Sequence, residues 1–201
     1  MRKKGLIYLF FFVLLLAGFY TALTLTTDFA KVKLPILTTV QPFSFLRQDS
    51  VMVSQVDVKK RVYVAEYFFT TCKGICPKMN KNMKYIYEKF KTDPNFMIIS
   101  HTVNPDTDSL PILKHYADSL DASPSNWWFV TGTKEALYKT ARESYLLDDP
   151  KNNTKNIEEQ FLHTQFFTLV DRNGRVRGVY DGIKKEEVEQ LIHDITELIA
   201  E

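Results

Sequence analysis

Two cysteines, Cys72 and Cys76, are the only ones in 201 residues, and they stand four apart in the stretch TTCKGICPKMNKNM, with Pro77 directly behind the second. Three kinds of chemistry compete for such a pair: a structural disulfide, a redox dithiol and a soft-metal site. A disulfide over so short a loop removes little chain entropy and makes a poor staple. The other two readings need thiolate. Pro77 suits a first helical turn, and Met79, Met83, Ile86 and Phe90 follow at helical spacing, so a helix is predicted to begin near Cys76–Pro77. Its positive end lowers thiol pKa. Were both cysteines helical, they would share a face with Cβ atoms roughly 5–6 Å apart and reach one ion above the helix start. Thiolates favour Cu(I) or Zn(II), and Cu(II) becomes compatible once an imidazole joins.

Two sulfurs under-coordinate a metal, which turns attention to the four histidines. His115 and His193 lie in amphipathic stretches among polar residues and read as solvated helix surface. His101 ends an apolar run, FMIISHTV, and is read first as structural, with a place near the active edge as the alternative. His163 follows a long polar loop and precedes the run FFTLV, where the chain can bring a side chain over the dithiol. A lone histidine before a strand is otherwise unremarkable.

The elements that must position these groups alternate between β and α. PFSF and VMVS form a short hairpin about Asp49, and Val62–Phe69 is a β-branched and aromatic run fit for a buried central strand. After the cysteine helix come a strand at Phe96–Val103, a helix at Leu110–Leu120, a strand at Trp127–Gly132 and a helix after Thr133. Leu146–Gln160 is a polar loop. FFTLVDRNGRVRGVY is a hairpin turning at Asn173-Gly174, and an amphipathic helix, Lys184–Ala200, closes the chain. The pattern supports an α/β class. In such sheets the strand ends form the natural active edge. Trp127, Trp128, Met79 and Met83 read as core, and Lys78, Lys81 and Lys84 as a solvated helix face or a basic rim for an acidic partner.

A net charge of +2, from 26 basic and 24 acidic residues, leaves no nucleic-acid footprint. The N-terminus departs from this ordinary composition. Arg2, Lys3 and Lys4 precede Gly5–Thr27, 23 residues without a charge. That run is long enough to cross a bilayer core of roughly 30 Å and longer than a signal-peptide core. Residues 1–27 are therefore read as an uncleaved anchor with a cytoplasmic basic end, and residues 28–41 as a tether. Residues 42–201 form the folded domain on the far, periplasmic side of a cell inner membrane.

FFTTCKGICPKM, SHTVNPDTDS, NWWFVTG and FLHTQFFTLVDRNG, taken with the anchor, resemble the SCO/SenC family of membrane-anchored copper chaperones. The resemblance runs from about Pro42 to the last helix. It implies a thioredoxin-like fold with a central mixed sheet flanked by helices, and one copper held by Cys72, Cys76 and His163 as Cu(I) or Cu(II). It further implies delivery of copper to the binuclear site of cytochrome c oxidase subunit II, or upkeep of that site's thiols, and a copper donor protein upstream. Such a protein is a metallochaperone rather than an enzyme. Two departures stand out. Asn104 replaces an aspartate common in the family, so its charge is missing unless Asp106 or Asp108 supplies it, and no proline follows Cys72. The main rival is a membrane-anchored thiol–disulfide oxidoreductase without metal, whose usual CxxC spacing and cis-proline are absent here. A copper sensor or plain adaptor is the third class.

Overall fold

The computed structural model describes residues 2–26, 34–149, 156–157, 160–162 and 164–201. The chain divides at Leu34/Pro35 into two compact units. The first contains α1 (Arg2–Thr26). Its stretch Lys4–Ala22 has a mean hydropathy of 2.1 and none of it is buried, so by length and composition it can cross a membrane.

Among the described residues the second unit is built on eight strands: β1 (Thr38–Thr39), β2 (Ser44–Arg47), β3 (Met52–Ser54), β4 (Val62–Phe68), β5 (Phe96–Thr102), β6 (Trp127–Thr131), β7 (Phe166–Val170) and β8 (Arg175–Asp181). The described helices are α2 (Cys76–Phe90), α3 (Leu110–Ser119) and α4 (Lys134–Glu143) between strands, and α5 (Lys185–Ala200) after the last of them. The strands form one mixed sheet in the order β1-β8-β7-β4-β5-β6-β2-β3. β4, β5 and β6 run parallel, and the remaining pairs are antiparallel. Thr38–Thr39, within the segment read as a tether, pairs with β8.

β4 lies at the centre and every one of its residues is buried, as both faces of a helix-covered sheet require. Alternation assigns its side chains. Tyr63, Ala65 and Tyr67 join a cluster with Phe45, Trp128, Val130 and the α4 residues Leu137, Tyr138 and Ala141. Val62, Val64, Glu66 and Phe68 point to the opposite face, where α2, α3 and α5 pack. There Tyr87 of α2 lies 5.0 Å from Trp127, and Tyr116 of α3 stacks on Phe68 at 5.3 Å. Met79 and Met83 are fully buried under α2, as core reading predicts. Thr133 caps α4 by accepting from the Ala136 N–H. In the β7–β8 turn Gly174 has φ +74°, a value that a side chain rarely tolerates. Helices over both faces of a mixed sheet, with a β-α-β unit carrying the dithiol at its first crossover, make the thioredoxin-like arrangement.

Candidate metal and dithiol site

The cysteines stand where β4 gives way to α2, at the C-terminal end of the parallel strands. Cys76 is the first residue of α2, while Cys72 lies in the loop before it, its N–H donating to the Phe69 carbonyl at 3.2 Å. The helical expectation thus holds for one cysteine only. The other reaches the same place because the Cys72–Ile75 loop folds back over the helix start. No side chain caps α2, and Pro77 occupies its first turn. Sulfur meets the N–H groups here instead: those of Gly74 and Ile75 in the loop and of Cys76 at the helix start all point to Cys72 Sγ.

Both thiols are free. They are unequal partners. Cys76 is 4% exposed and Cys72 opens to solvent. Burial pushes the Cys72 thiol up, but the Cys76 S–H and the three N–H groups outweigh it and hold Cys72 below the usual thiol value. Cys76 is pushed up by its burial, then by donating to Cys72 and by the charges of Cys72 and Glu66, against a single N–H from Phe69. The solvent-facing sulfur is therefore the more acidic of the two, and the enclosed one the less. α2 adds no acid in its first turn, and no Asp or Glu occurs from Tyr67 to Tyr87.

Asp108 fixes the approach to Cys72. It is fully buried, and its carboxylate accepts from the Thr70 N–H at 3.2 and 3.3 Å and from the hydroxyls of Thr70 and Thr102. The cysteine loop is thereby tied to the turn after β5. Asn104, in place of the family's aspartate, only bonds locally, to Thr102 and Thr107, and Asp106 is exposed. The buried carboxyl of this turn is therefore that of Asp108.

His163 lies outside the described residues. Of its described neighbours, the Phe161 ring meets Phe69, three residues before Cys72, edge-on at 5.2 Å, and the Leu162 N–H donates to the Tyr138 hydroxyl of α4 at 3.2 Å. His115 and His193 are exposed on α3 and α5, as expected. His101 is buried on the face opposite the dithiol, stacked on Tyr67 at 4.8 Å with Nδ1–H donating to the Glu66 carbonyl. That excludes it from a place at the active edge, because strand alternation turns Ser100 and Thr102, not His101, toward α2. Lys84 pairs with Asp121 at 2.7 Å, which leaves Lys73, Lys78 and Lys81 open around the helix start. A surface cleft of about 300 Å³ beside α4, lined by Phe43, Phe45, Lys139 and Glu143, contains neither cysteine.

Sequence reasoning passed over Glu66, Asn80 and Tyr116, which lie on the α2–α3 side of the sheet beneath Cys76. The available signal was the glutamate in VYVAEYFF, a charge in a run otherwise fit for full burial.

The match to known proteins spans this whole unit. The SCO1/SenC family profile covers residues 35–200. The chain is 31% identical over 169 residues to the SCO1 protein homolog of Bacillus subtilis (strain 168), covering 82% of this chain and 85% of that one. It superposes with a TM-score of 0.69 and 30% identity on BsSco, described with a disulfide switch and as a member of the Sco family of cytochrome c oxidase assembly proteins, over 83% of this chain and 98% of that structure. Bradyrhizobium japonicum ScoI with copper bound shares the fold at a TM-score of 0.62 and 20% identity, over 80% and 99% of the two chains. With a thioredoxin-like sheet, a paired Cys72 and Cys76 at its edge and a profile match from residue 35 to 200, the chain belongs to the SCO1/SenC family.

Proposed function

We propose that this protein carries one copper ion for the assembly of cytochrome c oxidase, holding it through Cys72, Cys76 and His163. The observation that carries the reading is the asymmetric pair of free thiols at the start of α2, one sulfur already surrounded by N–H groups and open to solvent. Two thiolates and an imidazole form the donor set a soft ion such as Cu(I) prefers, and they tolerate Cu(II). Family membership, the copper-bound relative and the described link to cytochrome c oxidase support the assignment. The packing of Phe161 on Phe69 supports His163 as third ligand, since it brings the chain two residues ahead of it beside the cysteine loop. Subunit II of the oxidase is the proposed recipient, and a separate donor protein loads the site. We place α1 across the inner membrane with its basic end cytoplasmic, which leaves residues 42–201 on the periplasmic side.

The same asymmetry favours a second reading, thiol–disulfide exchange, in which Cys72 attacks and Cys76 resolves. The two are separated by titrating the reduced full-length chain in detergent with Cu(I) against a chromophoric chelator. Carriage of copper requires one tightly bound ion per chain and clear weakening in Cys76→Ser and His163→Ala. A native chain that cannot compete with the chelator would leave only the exchange reading.

A further inference from the structure

The ladder between β4 and β7 opens toward the dithiol. Pairing runs from Tyr63/Val170 to Ala65/Thr168 and stops there, so Glu66, Tyr67 and Phe68 rise to the cysteine loop without a partner in β7. On its other side β7 stays paired with β8 up to its first residue, Phe166 against Asp181. The contact then continues one step past the strand. The Gly182 N–H donates to the Gln165 carbonyl at 2.8 Å, and the Gln165 side-chain amide donates to Asp181 Oδ2 at 2.7 Å. Residues 164–166, which follow His163, are therefore held from the β8 side.

The same turn reaches the dithiol helix. Asn82, in the second turn of α2, donates through Nδ2 to the Gly182 carbonyl at 2.7 Å. Gly182 thus bonds through its N–H to the lead-in of β7 and through its C=O to α2. Asp181 stiffens the turn: it is buried, accepts from the Ile183 N–H at 3.1 Å and pairs with Lys184 at 3.3 Å, and its own N–H donates to Glu187. Space is as tight as the bonding. A Cβ on Gly182 would lie 2.6 Å from Phe167 Cζ and 2.8 Å from the Gln165 carbonyl oxygen. Room is what this position needs, since among the described glycines only Gly174 has a positive φ.

We propose that Gly182 is a positioning residue for the third copper ligand. It sets how far the segment led by His163 stands from α2, and so whether the imidazole closes on an ion held by Cys72 and Cys76, a role that rests on the copper reading. To admit a Cβ, the Gln165 carbonyl must retreat by about 0.6 Å, from 2.8 to an ordinary 3.4 Å. That exhausts the roughly 0.5 Å within which a functional constellation has to be held. Losing an outer support of a metal ligand costs roughly 10- to 100-fold in affinity.

The test compares the native full-length chain in detergent with Gly182→Ala, Asn82→Ala and, as a control, Gly178→Ala, which crowds Tyr180 within β8. Pulsed EPR of the Cu(II)-loaded chains reads the remote nitrogen of a bound imidazole, chelator competition reads Cu(I) affinity, and hydrogen exchange reads the metal-free backbone. Gly182→Ala should weaken the imidazole signal, lower affinity roughly tenfold or more and speed exchange at residues 164–167 but not in β4. Asn82→Ala should do the same to a smaller degree, and Gly178→Ala should leave the copper signals native. Native copper signals in a folded Gly182→Ala, or unchanged exchange at residues 164–167, would overturn the proposal. If Gly182→Ala does not fold, Asn82→Ala decides: native signals there overturn it, and a weakened imidazole signal upholds it. A native chain whose copper shows no imidazole would remove His163 as a ligand and this role with it, a failure visible before any variant is compared.

Discussion

Glu66 and His101 are diagonal neighbours in the middle of one sheet, each fully buried, each with one ring or carboxyl atom bonded and the other unpartnered. Their faces make them opposites. His101 lies among Tyr67, Tyr145 and Phe45, with ring centroids 4.8, 5.2 and 5.4 Å away, and burial lowers its pKa to about 3. It is a neutral ring in an aromatic stack. Glu66 lies on the α2–α3 side near Cys76 and Tyr116, and burial raises its carboxyl to about 7. An orphaned buried atom therefore does not mark chemistry by itself.

The largest expected effect breaks the structural half of this pair. His101→Ala leaves a hole within the stack and should cost about 3 kcal/mol in chemical denaturation, in the range of large-to-alanine core changes, while Cu(I) affinity stays at the native value. A loss of copper binding in a variant that remains folded would move His101 into the site.

The two groups should also tilt stability in opposite directions with pH. The folded pKa of Glu66 is raised, so its contribution is fully present below the unfolded value of 4.5 and is lost as pH rises to about 7. The folded pKa of His101 is depressed, so its contribution is present above 6.5 and is lost as pH falls toward about 3. Between 4.5 and 6.5 the slopes oppose, each about 1.4 kcal/mol per pH unit at most. Denaturant midpoints of the native chain should be nearly flat there. Glu66→Gln should lose stability as pH falls through that window, and a flat profile in the variant would contradict the assignment.

The smallest effect sharpens the contrast. The Tyr67 hydroxyl donates to the Leu137 carbonyl at 2.8 Å on the His101 face, so Tyr67→Phe should cost about 1 kcal/mol. Copper affinity and disulfide closure should not change, since the lost bond belongs wholly to the α4 side.

Strands and helices were legible because their periods are strong. VYVAEYFF could only be a strand buried on both faces, and Asn173-Gly174 marked a turn whose φ of +74° at Gly174 explains the residue. What escaped was the assignment of faces. Period two along FMIISHTV separates His101 from Ser100 and Thr102, yet nothing local says which face α2 will cover. Cys72 escaped a helical assignment for a related reason: spacing of four suits a helix, but so does a loop that folds back and offers its sulfur to open N–H groups. Asp108 was one of three acidic or amide candidates in NPDTD, and only its burial against Thr70 and Thr102 singles it out.

The sheet's margins carry a consequence for life in company. Its outermost strands are stubs, two residues in β1 and three in β3. So little open ladder gives a passing polypeptide almost no template for strand addition, and edge-to-edge aggregation is correspondingly starved.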